Sequence, residues 1–301
     1  MNGGGPTSIP ALLPRGPGHQ FVAYGDCCSG VPGGPHEVTF AAVNAVLQRL
    51  DPPPQFILFP GDHIMGGTED ADKLRRQWRY FFEQEMTWLD RQAVPLYSTT
   101  SNHNTCGEVS EAVWREVFGD LPRNGPPGQE GLSYWLRLGD LLLVAVNTAF
   151  SRLGGAGHVE SEWLDGVLSA NADAGHKLVM GHHPVWPVNG YEEAPLWCID
   201  RREGAAFWEV LVASGVVAYI CSHIIAFDAQ AHGGVLQLTT GGAGTRWGPG
   251  GFMAGPEEYH HLVQIALDAD GLRCQTPDCE GRVRERIDWH PGSALSKQRL
   301  L

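Results

Sequence analysis

Hydrophobic residues in this chain come in short unbroken runs separated by longer amphipathic stretches. The runs at 21–25, 56–60, 94–98, 141–147, 177–181 and 216–221 read as strands buried on both faces. Between them, 37–50, 70–92, 108–118, 159–170 and 203–214 read as helices. Alternation of this kind predicts an α/β protein, in which ligands gather beyond the carboxyl ends of the strands. The tail changes period. Residues 261–267, 272–276 and 282–289 alternate apolar with polar positions, and turns are signalled at Asp270-Gly271 and Glu280-Gly281. They predict an antiparallel meander within 260–290 that closes a second sheet. The pattern as a whole predicts one domain over 19–301, with two packed sheets and helices outside, behind a flexible Gly/Pro segment at 1–18.

Composition narrows the function. With 301 residues, 43% hydrophobic and 18% charged, the chain is long enough for a substantial core. Its 21 basic and 34 acidic residues leave a net charge of −13. Such a surface repels nucleic-acid backbones and anionic membranes, so neither is expected as a partner. A small anionic substrate fits only where metal ions supply positive charge locally. The apolar run at 9–13 is too short for the core of an export signal, and no stretch reaches the roughly 18 apolar residues of a membrane helix. Seven cysteines, an odd number in a long chain, argue for reduced thiols, Cys274 and Cys279 included. A cytoplasmic address is expected.

Metal-ligand residue types recur where the strands end. The first run leads into Gly25-Asp26-Cys27-Cys28, the second into Gly61-Asp62-His63 and the third into Ser101-Asn102-His103-Asn104. The fifth leads into Gly181-His182-His183-Pro184 and the sixth into Ser222-His223. A single Gly-Asp after a strand is usually a turn or a helix cap. Five such fragments at successive strand ends are hard to assign to turns, and carboxylate, amide and imidazole together suit a borderline metal ion. Cys27 and Cys28 lack the arginine of the Cys-x5-Arg pattern that a thiol phosphatase needs. There is no Gly-x-Ser-x-Gly elbow, no phosphate-binding loop and no His-Glu-x-x-His helix.

In that order, Asp, Gly-Asp, Asn-His, His-x-Pro and Ser-His resemble the calcineurin-like metallophosphoesterases, and among them the purple acid phosphatase branch. Gly131-Leu132-Ser133-Tyr134 with Leu138-Gly139-Asp140 resembles that branch's central hairpin, Glu162-Trp163-Leu164 a helix before the His-x-Pro strand, and Gly241-Gly242-Ala243-Gly244 a late glycine loop. The resemblance runs over about 21–289. It implies a four-layer αββα sandwich with a metal centre at one sheet edge, holding Fe, Mn or Zn, and hydrolysis of a phosphate ester by a metal-activated water. By the same resemblance Asp62 bridges two metal positions, Asn102, His182 and His223 complete one of them, Asp26 belongs to the other, and His103 protonates the leaving group.

The second metal position departs from the family pattern. Cys28 stands where many relatives have histidine, Met65 where the purple branch has tyrosine, and Ile225 where relatives place an imidazole. Asn104 replaces an acidic residue. One tightly bound ion is therefore expected, with Cys28 and His63 as candidate replacement ligands for a second. His183 is expected to pack or to orient a ligand, while His176, His260, His261 and His290 carry no motif. Trp163 and Trp208 are expected in the core. Trp186, Trp197 and Trp247, with Arg201, Arg202 and Arg246, lie in loops expected around the metal edge. Two alternatives stay open: a mononuclear non-haem iron enzyme on the same scaffold, and a binding protein without catalysis.

Overall fold

The structure is a computed structural model that describes residues 8–188, 190–192, 194–245 and 259–300. Two sheets form its frame. The first runs Ser296–Arg299, Val283–Trp289, Gly271–Pro277, Val263–Asp268, Gly18–Ala23, Ile57–Phe59, Leu96–Ser98. The second runs Phe227–His232, Val235–Thr240, Ala218–Cys221, His176–Met180, Leu141–Ala145, Tyr134–Leu138. Gly18–Ala23, Ile57–Phe59 and Leu96–Ser98 are parallel neighbours, as are Leu141–Ala145, His176–Met180 and Ala218–Cys221. All six predicted strands and all five predicted helices are present, so the α/β reading holds.

The layering follows from the two-residue period of a strand. Leu141, Leu143 and Ala145 face the first sheet, in one core with Phe21, Ile57 and Ile265. Leu142 and Val144 face the other way, onto Leu164 and Leu168 of helix Ser161–Ala170 and Phe207 and Leu211 of helix Arg201–Ala213. On the far side, Phe40 and Val43 of Glu37–Leu47, Leu74 and Trp78 of Ala71–Tyr80, and Trp114 of Glu108–Val117 cover the first sheet. The result is the expected αββα sandwich.

Three features differ from the sequence expectation. The meander does not close the second sheet. Val263–Asp268 pairs antiparallel with Gly18–Ala23, with Ile265 opposite Phe21, so the tail completes the sheet that the chain began. Residues 8–18 are not loose. Ile9–Pro10 pairs with Leu50–Asp51, and the Arg15 amide donates to Asp268 Oδ2 at 2.7 Å. The helix expected over 70–92 is α-helical only through Tyr80 and ends in a π-helical turn, Phe81–Glu85. That turn buries Phe81 beside Phe40 and sends the Glu85 carboxylate back to Ser29 and the Gly30 amide. Among the described residues, no helix is long and apolar enough to cross a membrane.

Candidate metal centre

The strands ending at Ala23, Phe59, Ser98, Met180 and Cys221 deliver their loops to one edge of the sandwich. The first two loops run side by side: the Asp26 amide donates to Gly61 O at 3.2 Å and the Cys28 amide to Asp62 O at 2.8 Å. Backbone strain concentrates there. Asp26, Cys28, Asp62 and His223 have φ values of 63, 42, 54 and 67°, the left-handed region that residues with a Cβ rarely enter. Among the described residues these are the non-glycine positions with positive φ. Gly61 has a steric reason to be glycine, since a Cβ would lie 2.5 Å from His182 Nδ1.

Two imidazoles are fixed so that their lone pairs converge. His182 Nδ1 lies 2.9 Å from Pro60 O and 3.1 Å from Ser222 Oγ. Since the Ser222 hydroxyl donates to the same carbonyl at 2.6 Å, His182 carries its proton on Nδ1 and leaves Nε2 bare. His223 Nε2 donates to Leu196 O at 2.9 Å, which leaves its Nδ1 bare. The two bare nitrogens are 3.0 Å apart. Asn102 Oδ1 lies 2.8 Å from His182 Nε2, and Asp62 Oδ1 lies 3.4 Å from it. The Asp62 and Asp26 Oδ1 atoms are buried with no hydrogen-bond partner. Acceptors crowded together without donors require a cation, so the residues fit a metal ion.

Electrostatics separate the two carboxyls. Burial pushes the Asp26 carboxyl well above the usual carboxylate range, and the neighbouring Asp62 pushes it further. Burial also pushes Asp62 up, but the His182, His103 and His223 imidazoles together draw it below that range. Burial keeps His182 and His223 neutral, His223 lowered to about 4. His103 sits at the rim with its side chain 37% exposed. Its Nδ1 donates to Met65 O at 2.7 Å, its Nε2 points toward Asp62 Oδ2 at 4.0 Å, and the Asp62 charge raises its pKa.

Asp26, Asp62, Asn102, His103, His182 and His223 are thus brought together at one edge. His63 is not among them. It stacks on Phe59 at 4.0 Å within a ring of Trp78, Phe81, Trp114 and Phe118, takes a hydrogen bond from Asn104 Nδ2 at 2.8 Å and donates to Ser98 Oγ at 3.0 Å. Asn104 accordingly secures His63 in the core. The Cys28 sulfur reaches 3.8 Å from Asp62 Oδ2, and burial and then the Asp62 and Asp26 charges push its thiol well above the usual range. Cys27 donates to His63 O at 2.9 Å. All seven cysteines are unpaired thiols. His183 is buried beside His182 and His223. Trp197 packs on the His223 ring, whereas Trp186 stacks away on His232; Trp163 and Trp208 are in the helix-side core. Arg201 and Arg202 are exposed at a helix start, and Arg246 and Trp247 lie outside the described residues. The positioning roles of Ser222, Pro60 and Leu196 go beyond the sequence pattern, which marks Ser222 only as part of Ser222-His223. A serine beside a ligand histidine was the one available signal, because the other two act through backbone carbonyls.

The sequence profile of the calcineurin-like phosphoesterases matches residues 19–227, a range that includes Asp26, Asp62, Asn102, His103, His182 and His223. This chain belongs to that family. Tartrate-resistant acid phosphatase type 5 of Oryctolagus cuniculus is 28% identical over 227 residues, covering 68% of the calcineurin-like chain and 66% of the rabbit enzyme. The Homo sapiens enzyme of that name is 28% identical over 231 residues, covering 69% and 67%. The chain therefore spans just under two thirds of the rabbit relative's length. In fold it is similar to purple acid phosphatase PPD1 of Lupinus luteus, with a TM-score of 0.61 and 13% identity over 91% of this chain and 54% of that one. It is equally similar to GAP50, the anchor in the inner membrane complex of Plasmodium, with a TM-score of 0.60 and 12% identity over 91% and 89%. One fold serves a phosphatase and an anchor, so the argument for function rests on the site.

Proposed function

We propose that this phosphoesterase-family chain hydrolyses a small anionic phosphate ester with a bound metal ion. The observation that carries this is the pair of bare imidazole nitrogens 3.0 Å apart, joined by Asn102 Oδ1 and the unpartnered Asp62 Oδ1. His182, His223, Asn102 and Asp62 would hold the ion, and their nitrogen content suits Fe, Mn or Zn. When bound, the metal supplies positive charge for the phosphoryl oxygens and activates the attacking water. His182, Asp62 and Asp26 are buried while Asn102, His103 and His223 are partly exposed, so substrate approaches from the exposed side. His103 holds a proton on Nδ1 against Met65 O, and Asp62 favours a second proton on Nε2, which it delivers to the departing oxygen.

The second metal position has Asp26 and Asp62 but no described imidazole of its own. Ile225 is buried two residues beyond His223, and its side chain offers no lone pair. The phosphoesterase relatives support hydrolysis over the iron-enzyme and binding-protein alternatives. Seven unpaired thiols support a cytoplasmic address. Phosphate release from 4-nitrophenyl phosphate with added Mn, Zn or Fe tests the function. Release that stops on chelation and in His223→Ala is expected; no release with any of the three metals would overturn it.

A further inference from the structure

His183 falls at the middle of His-x-Pro, a position the family pattern leaves free, yet it is as buried as His182. Its surroundings do not suit a packing residue. The His183 amide donates to Thr148 Oγ1 at 3.2 Å, Tyr219 donates to its carbonyl at 2.7 Å, and its Nδ1 lies 2.9 Å from the same Thr148 hydroxyl. Backbone and Nδ1 are accounted for. Nε2 is buried and has no hydrogen-bond partner. An apolar ring of similar size would fill this space without stranding a polar atom there.

The stranded nitrogen belongs to a cluster. The His183 ring centroid is 4.3 Å from that of His223 and 4.9 Å from that of His182. One ring nitrogen from each of the three lies within 4.8 Å of the others. Thr148 then holds one ring nitrogen of His183, as Pro60 holds one of His182 and Leu196 one of His223, and so orients the ring.

We infer that His183 contributes a third imidazole to the metal centre, so that this chain binds its ion through three histidines and Asp62 where the family pattern implies two histidines. The inference rests on the metal centre proposed above and deepens it. Three imidazoles and a carboxylate would form a nitrogen-rich donor set, which favours zinc over magnesium or manganese. Asn102 is then left to weaker coordination or to orienting the substrate.

Zinc K-edge X-ray absorption of the zinc-loaded full-length chain counts imidazoles directly. Three are expected, and two would overturn the inference while leaving the metal centre intact. Failure of the wild-type chain to retain zinc through gel filtration would overturn both. The second arm is His183→Gln, which can still bond Thr148. Its imidazole count should fall by one, and its zinc affinity, measured against a competing chelator, should weaken roughly 10- to 100-fold. An unchanged count in a folded variant would contradict the inference, and if the variant fails to fold the wild-type spectrum decides alone.

Discussion

His182 Nε2 faces His223 Nδ1 across 3.0 Å, and each ring has already given its other nitrogen to a backbone carbonyl. Two lone pairs held face to face repel. A cation between them turns that repulsion into coordination, and the loops around them carry the strain of four left-handed residues, Asp26, Cys28, Asp62 and His223. The folded chain is organised around a charge that its own side chains do not supply.

Removing either imidazole should therefore remove the metal and spare the fold. In His182→Ala and His223→Ala, affinity for zinc or manganese should fall by at least about 100-fold, with far-ultraviolet circular dichroism unchanged. Ser222→Ala removes a partner of His182 Nδ1 together with the hydroxyl's bond to Pro60 O, and should weaken metal binding by about 10-fold. Full occupancy in both alanine variants at the histidines would contradict the assignment.

Metal count probes the departure at Ile225. The unmodified chain should retain about one ion after dialysis, because two carboxylates without nitrogen or sulfur hold a transition metal weakly. Ile225→His should raise retention toward about two and increase the phosphatase rate. Two tightly held ions in the unmodified chain would implicate Cys28, whose sulfur is 3.8 Å from Asp62 Oδ2, as a ligand.

His103→Gln should show which bond is being broken. A proton donor matters most when the leaving group is a strong base, so hydrolysis of alkyl phosphates should slow by roughly 10²- to 10⁴-fold. Hydrolysis of 4-nitrophenyl phosphate should slow far less. Equal losses on both substrates would make His103 a binding residue.

A pH dependence of stability is expected away from the centre. His261 is buried, donates from Nδ1 to Tyr259 O at 2.7 Å, and has its pKa lowered by burial to about 4. The unfolded chain takes up this proton near pH 6.5 and the folded chain only near 4. Below about 6.5 the unfolded state thus binds more protons, and stability falls as pH drops toward about 4. Between those limits this one group accounts for up to roughly 3 kcal/mol. Urea midpoints measured with chelator present should fall less steeply with pH in His261→Gln than in the unmodified chain. Parallel slopes would show that the histidine titrates alike in both states.

Much of this was legible in the sequence, because buried strands of a doubly covered sheet are runs of apolar residues and their ends carry the chemistry. Six such runs located six strands, and Asp26, Asp62, Asn102, His103, His182 and His223 all lie at one edge. What local pattern cannot convey is the partner of a strand or the direction of a side chain. The meander's alternation was correct, but its neighbour, Gly18–Ala23, lies far away in sequence. His63 adjoins Asp62, yet the left-handed turn at Asp62 sends it into the aromatic core, where Asn104 meets it. Pro60 and Leu196 act through carbonyls common to all residues, so their identity carried no signal.

Titrating metal-free protein with zinc or manganese, and following bound metal by elemental analysis alongside phosphate release, tests the central claim most directly. The account predicts that hydrolysis is absent without metal, rises in step with bound ion and levels off near about one ion per chain, as expected of a single nitrogen-containing site. Hydrolysis that persists at full strength in the metal-free chain, or metal that binds without any phosphate release, would contradict it.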